Sequence, residues 1–292
     1  MSQPENNMSK LSASLKALVN APFSRPGPLP APAQVQDLFQ GIARDASRRN
    51  LGVNSWLAIS TATTFTLNSP DSLPVLHGVA SASHDKAGVK TAEFMREVGL
   101  KCISFNGIPR SINCLNAFHA SLPDAVTSKL CTAPSRTPTT GTLDAGLTRG
   151  RALWDSVYRP FEDKLYAKLA QSHPDLPAYI LSHHYAGLLS DPPAPERAEA
   201  LASVGRIHTS MVAISCLRAQ TGVGPQVLSH VFGLRKALDD ESFRADRDGE
   251  SEENVRWLAS DEGSEWILNT VDRIVEVLGG STFAPAGRET KL

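Results

Sequence analysis

The chain is predicted to be all-α, and three observations carry that prediction. Apolar residues recur at three- and four-residue spacing through most of its segments, the mark of one face of a helix. The breaks between segments hold Gly and Pro where helices stop and start, as in Gly107-Ile108-Pro109 and Gly222-Val223-Gly224-Pro225. Residues 204–238 read as helix, glycine turn and helix, with a shorter echo at residues 96–118. Placing Pro109 on Pro225 sets Ile112 on Leu228, Cys114 on His230, Leu115 on Val231 and Ala117 on Gly233. The chain thus contains two pseudo-repeated helix-turn-helix modules.

Each element follows from local pattern. Residues 1–9 are polar and expected to lack fixed structure. Residues 8–19 carry Leu11, Leu15 and Val19 at four-residue spacing and form a short amphipathic helix. With Lys10, Lys16 and Arg25 this stretch also has some likeness to a mitochondrial transit segment, against which Glu5 and the lack of early arginines speak. Residues 22–32 are a proline-rich connector, and 35–48 a helix with Val35, Leu38, Phe39, Ile42 and Ala43 on one face. Residues 56–67 are rich in β-branched residues and suit a strand on propensity; their helical neighbours assign them as helix. Ser69-Pro70-Asp71 is a turn before an apolar run at 73–82. Residues 90–105 and 109–120 form the first module. Residues 122–150, with the Ser/Thr/Pro/Gly stretch TAPSRTPTTGT, are assigned to a long loop, either a linker or a lid. Short helices at 153–158, 160–170 and 178–189 precede a break at Asp191-Pro192-Pro193-Ala194-Pro195-Glu196, and a helix from about Glu196 leads into the second module. Residues 239–253 hold eight acids against Arg244 and Arg247 and read as solvated surface. The last helix starts at the N-cap Ser260, with Asp261 and Glu262 in its first turn. Its stripe is Trp266, Ile267, Val271, Ile274, Val275 and Leu278, and Gly279-Gly280 stop it. The resulting organisation is an extension at 1–34, a helical domain at 35–238, an acidic segment with the C-terminal helix at 239–280, and a tail at 281–292.

Composition excludes several classes. The 292 residues are 41% hydrophobic and 20% charged, as in a globular protein, and suffice for a substantial core. A net charge of −1 and a pI near 6.7 remove the electrostatic argument for nucleic acid or an anionic membrane. No run approaches the roughly 18 apolar residues of a membrane span. Cys102, Cys114, Cys131 and Cys216 form no CxxC pair, so reduced thiols in an intracellular compartment are expected, with neither a metal site nor a cofactor. The cytoplasm is the expected location. Thr290-Lys291-Leu292 resembles the S-K-L peroxisomal address and makes the peroxisome the alternative.

The residues that could carry chemistry have two readings each. His230, with Gln226, Val227 and Leu234 on its helix face, is either a general acid or base, or a core imidazole bonded to a carbonyl or to Gln226. Cys114 follows Arg110 by one turn, which favours thiolate, or it is inert packing. Glu93 and Glu97 suit proton transfer or a solvated face. Cys102 and Cys216 read as core. Arg110 and Arg206 could hold a carboxylate bidentately. The glycine turn at 105–110 connects two helices or holds an anion at a helix N-terminus. His183 and His184 are adjacent and point apart on a helix, so no metal pair is expected.

Arg206 opening a buried helix, the small-residue turn at 222–225, and His230 on the next helix together resemble the core repeat of the alkylhydroperoxidase D-like (AhpD-like), carboxymuconolactone decarboxylase superfamily. Residues 154–189 resemble its lead-in helices, and the resemblance extends over 35–238. It implies an all-helical fold, homo-oligomers, and a pocket between helices with an essential His. The peroxidase branch adds the redox pair C-x-x-C-x-x-x-H. Counting back from His230, those cysteine positions hold Val223 and Gln226; counting back from Cys114, they hold Gly107 and Arg110. Thiol peroxidase activity by that mechanism is therefore not expected. What the resemblance leaves is a proton-transfer enzyme of decarboxylase or isomerase type acting on a small organic acid. His230, Cys114 and Glu97 would be catalytic, and Arg110, Arg206 and Gln226 would bind substrate. The alternative is a non-catalytic oligomeric relative that acts in assembly or partner binding. Either way the expected partners are further copies of the chain and a small-molecule ligand.

Overall fold

The computed structural model describes residues 11–193, 202–245 and 250–281. Among the described residues every regular element is a helix. In order they are α1 (Ala13–Val19), α2 (Val35–Arg48), α3 (Val53–Thr66), α4 (Ser72–His84), α5 (Val89–Lys101), α6 (Ile103–Asn106), α7 (Ile108–Ser121), α8 (Asp124–Thr127), α9 (Leu143–Tyr158), α10 (Glu162–Ser172), α11 (Asp175–Tyr179), a π-helical segment (Ile180–Leu189), α12 (Gly205–Gln220), α13 (Gly224–Asp239), α14 (Glu252–Leu258) and α15 (Asp261–Val277). Among the described residues no helix is long and apolar enough to cross a membrane.

α3 is the centre of the molecule. It packs against α2, α4, α5, α12 and α15, and Ser55 to Thr66 are all buried. Its β-branched residues suit a strand by propensity, yet the helix satisfies three of their four hydroxyls, the buried Thr61 Oγ1 having no partner among the described residues. Thr63 donates to Ile59 O (2.8 Å), Thr64 to Ser60 O (2.7 Å) and Thr66 to Ala62 O (2.8 Å). Burial on every side then outweighs a propensity difference of a few tenths of a kcal/mol per residue.

The two modules share one register, with the short α6 inserted only in the first. α5 and α12 begin at Val89 and Gly205, and α7 and α13 at Ile108 and Gly224, in both cases 116 positions apart. Both second helices carry Pro in the first turn. Cys114 and His230, which share a register position, are both buried.

Three segments depart from the sequence reading. The expected loop at 122–150 contains α8, and α9 begins at Leu143, ten residues before the expected helix at 153. Its apolar face was hard to see because Leu143 and Leu147 remain exposed and glycines occupy positions 146 and 150. The segment at 178–189 is helical as expected but winds as a π-helix from Ile180. The acidic stretch does not simply face water. Phe243 is buried, α14 starts at Glu252, and Glu250 reaches back to the start of α3, accepting from Gly52 N (2.9 and 3.1 Å) and from Ser55 Oγ. The expected helix start near Glu196, Asp246 and Asp248 of the acidic run, most of the tail at 281–292 and the first residues of the amphipathic segment lie outside the described residues. The last helix begins as read: Ser260 Oγ accepts from Gly263 N at 3.1 Å.

The main core runs through α2–α5, α7, α12, α13, α14 and α15, so the apolar stripe of α15 is buried within its own chain. A second, smaller cluster centres on Trp154, Tyr185 and Leu189, where α9 meets the π segment.

Candidate functional site

His230 occupies the junction of the two cores. α13 turns it inward against Tyr158 of α9 and Phe105 of α6, whose rings lie 6.0 Å from the imidazole with edge-on geometry. Tyr185 of the π segment donates its hydroxyl to Tyr158 Oη (3.0 Å), and Tyr158 Oη lies 3.4 Å from His230 Nε2. Burial, aided by the nearby Arg206 guanidinium, drops the His230 pKa to about 4, so the ring is neutral at pH 7. A neutral ring that accepts from Tyr158 at Nε2 carries its proton on Nδ1, and no group among the described residues accepts it. Burial raises both tyrosine pKa values. The cavity touching His230 measures about 10 Å³, close to the room one water molecule needs, and its walls are mainly Phe105, Leu153, Val157, Leu189 and Ala213.

Arg206, read as a carboxylate clamp, is directed to the protein. Nε donates to Ser156 Oγ (2.8 Å), Nη1 to Ser210 Oγ (2.5 Å), and Nη2 to Ser156 O (3.2 Å) and Gly233 O (2.6 Å). These bonds join α9, α12 and α13. A cleft of about 340 Å³ opens above the start of α12, bordered by Ser156, Asp191, Ser203, Arg206 and Ser242. Asp191 sits there as the partner of fully buried Lys101 (2.7 Å) and accepts from Gly205 N (2.7 Å) and Ser203 Oγ (2.9 Å). Burial pushes the Asp191 carboxyl up, but Lys101 and these donors outweigh it and hold the pKa at about 2.

The remaining candidates lie apart from His230. Cys114 is wholly buried and its pKa is pushed up to about 12 by burial, against the opposing pull of Arg110. Arg110 donates to Thr66 O and so ties α7 to the end of α3. Glu97 forms a two-point ion pair with Arg136, one bond at 3.1 Å, and Glu93 accepts from Cys131 N and Arg96 (3.0 Å). Burial raises the Glu93 pKa, although those donors act against it. The two carboxylates anchor the 131–136 stretch to α5. Gln226 is exposed. The fold does bring Cys102 and Cys216 together, with sulfurs 3.6 Å apart, both buried and the Cys102 pKa raised by desolvation. The sequence reading passed over Tyr158, Tyr185, Lys101 and Asp191. Tyr158 and Tyr185 had no periodic signal beyond helix packing, while a charged residue inside an apolar run, Lys101 in 98–103, was the one visible cue.

No family model and no solved structure matches the chain. Among curated proteins it is similar to Peroxisomal protein 2 of Saccharomyces cerevisiae (strain ATCC 204508 / S288c), 29% identical over 177 residues that cover 54% of this chain and 59% of that protein. The chain therefore spans about three fifths of the length of the curated relative it matches.

Proposed function

We propose that this chain is a divergent AhpD-like helical protein that acts by binding and assembly, without thiol redox chemistry. The enclosure of His230 carries this reading. Its cavity of about 10 Å³ excludes an organic acid, Arg206 is turned to serine and carbonyl oxygens, and Cys114 and Glu97 are engaged elsewhere. Proton transfer requires a catalytic group within about 3 Å of the substrate proton, which this arrangement does not offer. The decisive experiment incubates the protein with a panel of small oxo and unsaturated acids in D₂O and follows α-proton exchange and loss of CO₂ by NMR. No turnover is expected. Turnover abolished by His230→Asn overturns the binding reading.

A specific observation favours the second reading, a proton-transfer enzyme: the neutral His230, its Nδ1 without an acceptor among the described residues, stands at the end of a Tyr185–Tyr158 hydrogen-bond chain. Turnover in the same panel supports it only if Tyr158→Phe also lowers the rate.

Assembly as a homo-oligomer rests on exposed apolar residues in both modules, of which Ile112 and Leu228 share a register position. Ile108 and Ile112 on α7 and Leu228 and Phe232 on α13 are each half or more exposed. Light scattering is expected to give a multiple of 31.3 kDa, reduced to one chain mass by Ile112→Asp with Phe232→Asp. The name of the yeast relative supports the peroxisome alternative from Thr290-Lys291-Leu292. An N-terminally tagged chain lacking Leu292 is expected to leave the organelle; unchanged distribution rejects that address.

A further inference from the structure

We infer that the cleft between α9, the π-helical segment and the 135–138 stretch binds a monoanionic carboxylate with an apolar body. This goes beyond the binding reading above and lies at a site separate from His230. The cleft has a volume of about 420 Å³, within the usual range for small-molecule sites. Its shape comes from two glycines one turn apart on α9. At Gly150 an added Cβ would lie 2.6 Å from Ala186 Cα, so the two backbones touch there. At Gly146 the same atom would meet nothing nearer than Arg149 Nη2 at 3.8 Å. The helices thus meet at Gly150, and the missing side chain at Gly146 leaves the groove open. The opposite wall is the π segment, through Ser182, His183, Ala186 and Gly187. Single π turns inserted in helices occur frequently at functional sites, because the extra residue per turn displaces side chains from ordinary helix packing.

The chemistry of the lining selects the ligand. Leu143, Leu147, Pro138 and Ala186 give an apolar surface, and the two leucines are exposed although they sit on a helix with buried neighbours. Two guanidinium groups border it. Arg136 is balanced by Glu97, whereas Arg149 has no ion-pair partner among the described residues. The Nε–H of each arginine is buried and lacks an acceptor there. Guanidinium with carboxylate is the favoured pairing for a planar fork. One net positive charge beside an apolar groove fits a ligand with one negative charge and a hydrocarbon or aryl body. A dianion would leave a charge uncompensated, and a neutral lipid would leave Arg149 unanswered.

Octanoate titrated into the full-length protein and followed by calorimetry tests this, with octanol and octylammonium as controls. Octanoate is expected to bind, octanol about tenfold or more weakly, and octylammonium not at all. Arg149→Gln is expected to reduce octanoate affinity about tenfold with unchanged helicity and melting temperature, because Arg149 makes no ion pair among the described residues. Gly146→Phe, which fills the groove and keeps the charge, is expected to abolish binding. His230→Asn is expected to bind octanoate normally, because His230 lines a different cavity; loss of binding in this variant would place the ligand elsewhere and overturn the inference. Octanol binding as tightly as octanoate, Arg149→Gln leaving the affinity unchanged, or no octanoate binding at millimolar concentration overturns the inference.

Discussion

At the residue scale, burial decides what the titratable groups can do. His230 has an ordinary pKa near 6.5 when unfolded and about 4 in the folded chain, so the unfolded state binds the extra proton between those values. Its contribution is complete above pH 6.5 and is lost as the pH falls through 4. The shift corresponds to stabilisation on the order of 3 kcal/mol forfeited in acid. His230→Asn is expected to flatten the stability profile between pH 6.5 and 4 in urea unfolding. A profile as steep as that of the unmodified chain would show that another group carries the acid sensitivity. Asp191 acts in the same direction at lower pH: its carboxyl is held at about 2, so its contribution is complete above the unfolded value of 3.8 and is lost as the pH falls through 2.

At the element scale, close approaches and buried ion pairs fix how helices meet. Gly150→Ala is expected to destabilise by about 3 kcal/mol, because the new methyl would collide with the backbone of Ala186, which cannot move aside as a side-chain tip can. Gly146→Ala, one turn away in open space, is expected to stabilise by roughly 0.5–1 kcal/mol through helix propensity. Equal effects of the two substitutions in thermal melts would contradict the contact at Gly150. Lys101 and Asp191 join the end of α5 to the start of α12. Asp191→Asn is expected to cost about 3–5 kcal/mol, since it leaves a fully buried ammonium without its counter-charge. A loss below about 1 kcal/mol in denaturant unfolding would show that Lys101 finds another partner.

At the scale of the whole molecule, thiol accessibility follows the core. Cys102, Cys114 and Cys216 are buried while Cys131 is half-buried, with its sulfur 3.6 Å from Ala133 O. A thiol reagent is expected to label one cysteine quickly in the native protein and four after denaturation. Rapid native labelling of a second thiol, lost in Cys114→Ser, would mean that the module with Cys114 opens in solution. It would also reopen the case for single-cysteine peroxide chemistry.

The sequence by itself determined the helical class, the two module registers, the turn at Gly107 and the cap at Ser260, because each depends on spacing or on a neighbour a few residues away. It also made the helix at α3 legible, though only through context, since β-branched propensity pointed to a strand. What only the tertiary structure decided depends on residues distant in the chain. Glu250 reaches α3 across 198 positions, Tyr158 meets His230 across 72, and Lys101 reaches Asp191 and the Leu189 carbonyl, the latter across 88. Arg206 and Arg110 look like ligand clamps in sequence, where an unpaired guanidinium cannot be told from one that donates to carbonyl and hydroxyl oxygens of other helices. Cys114, Glu97 and His230 are grouped as catalytic by the resemblance, but sequence spacing fixes only the face of a helix. Packing decides what that face meets, and here it sends each of the three to a different neighbour.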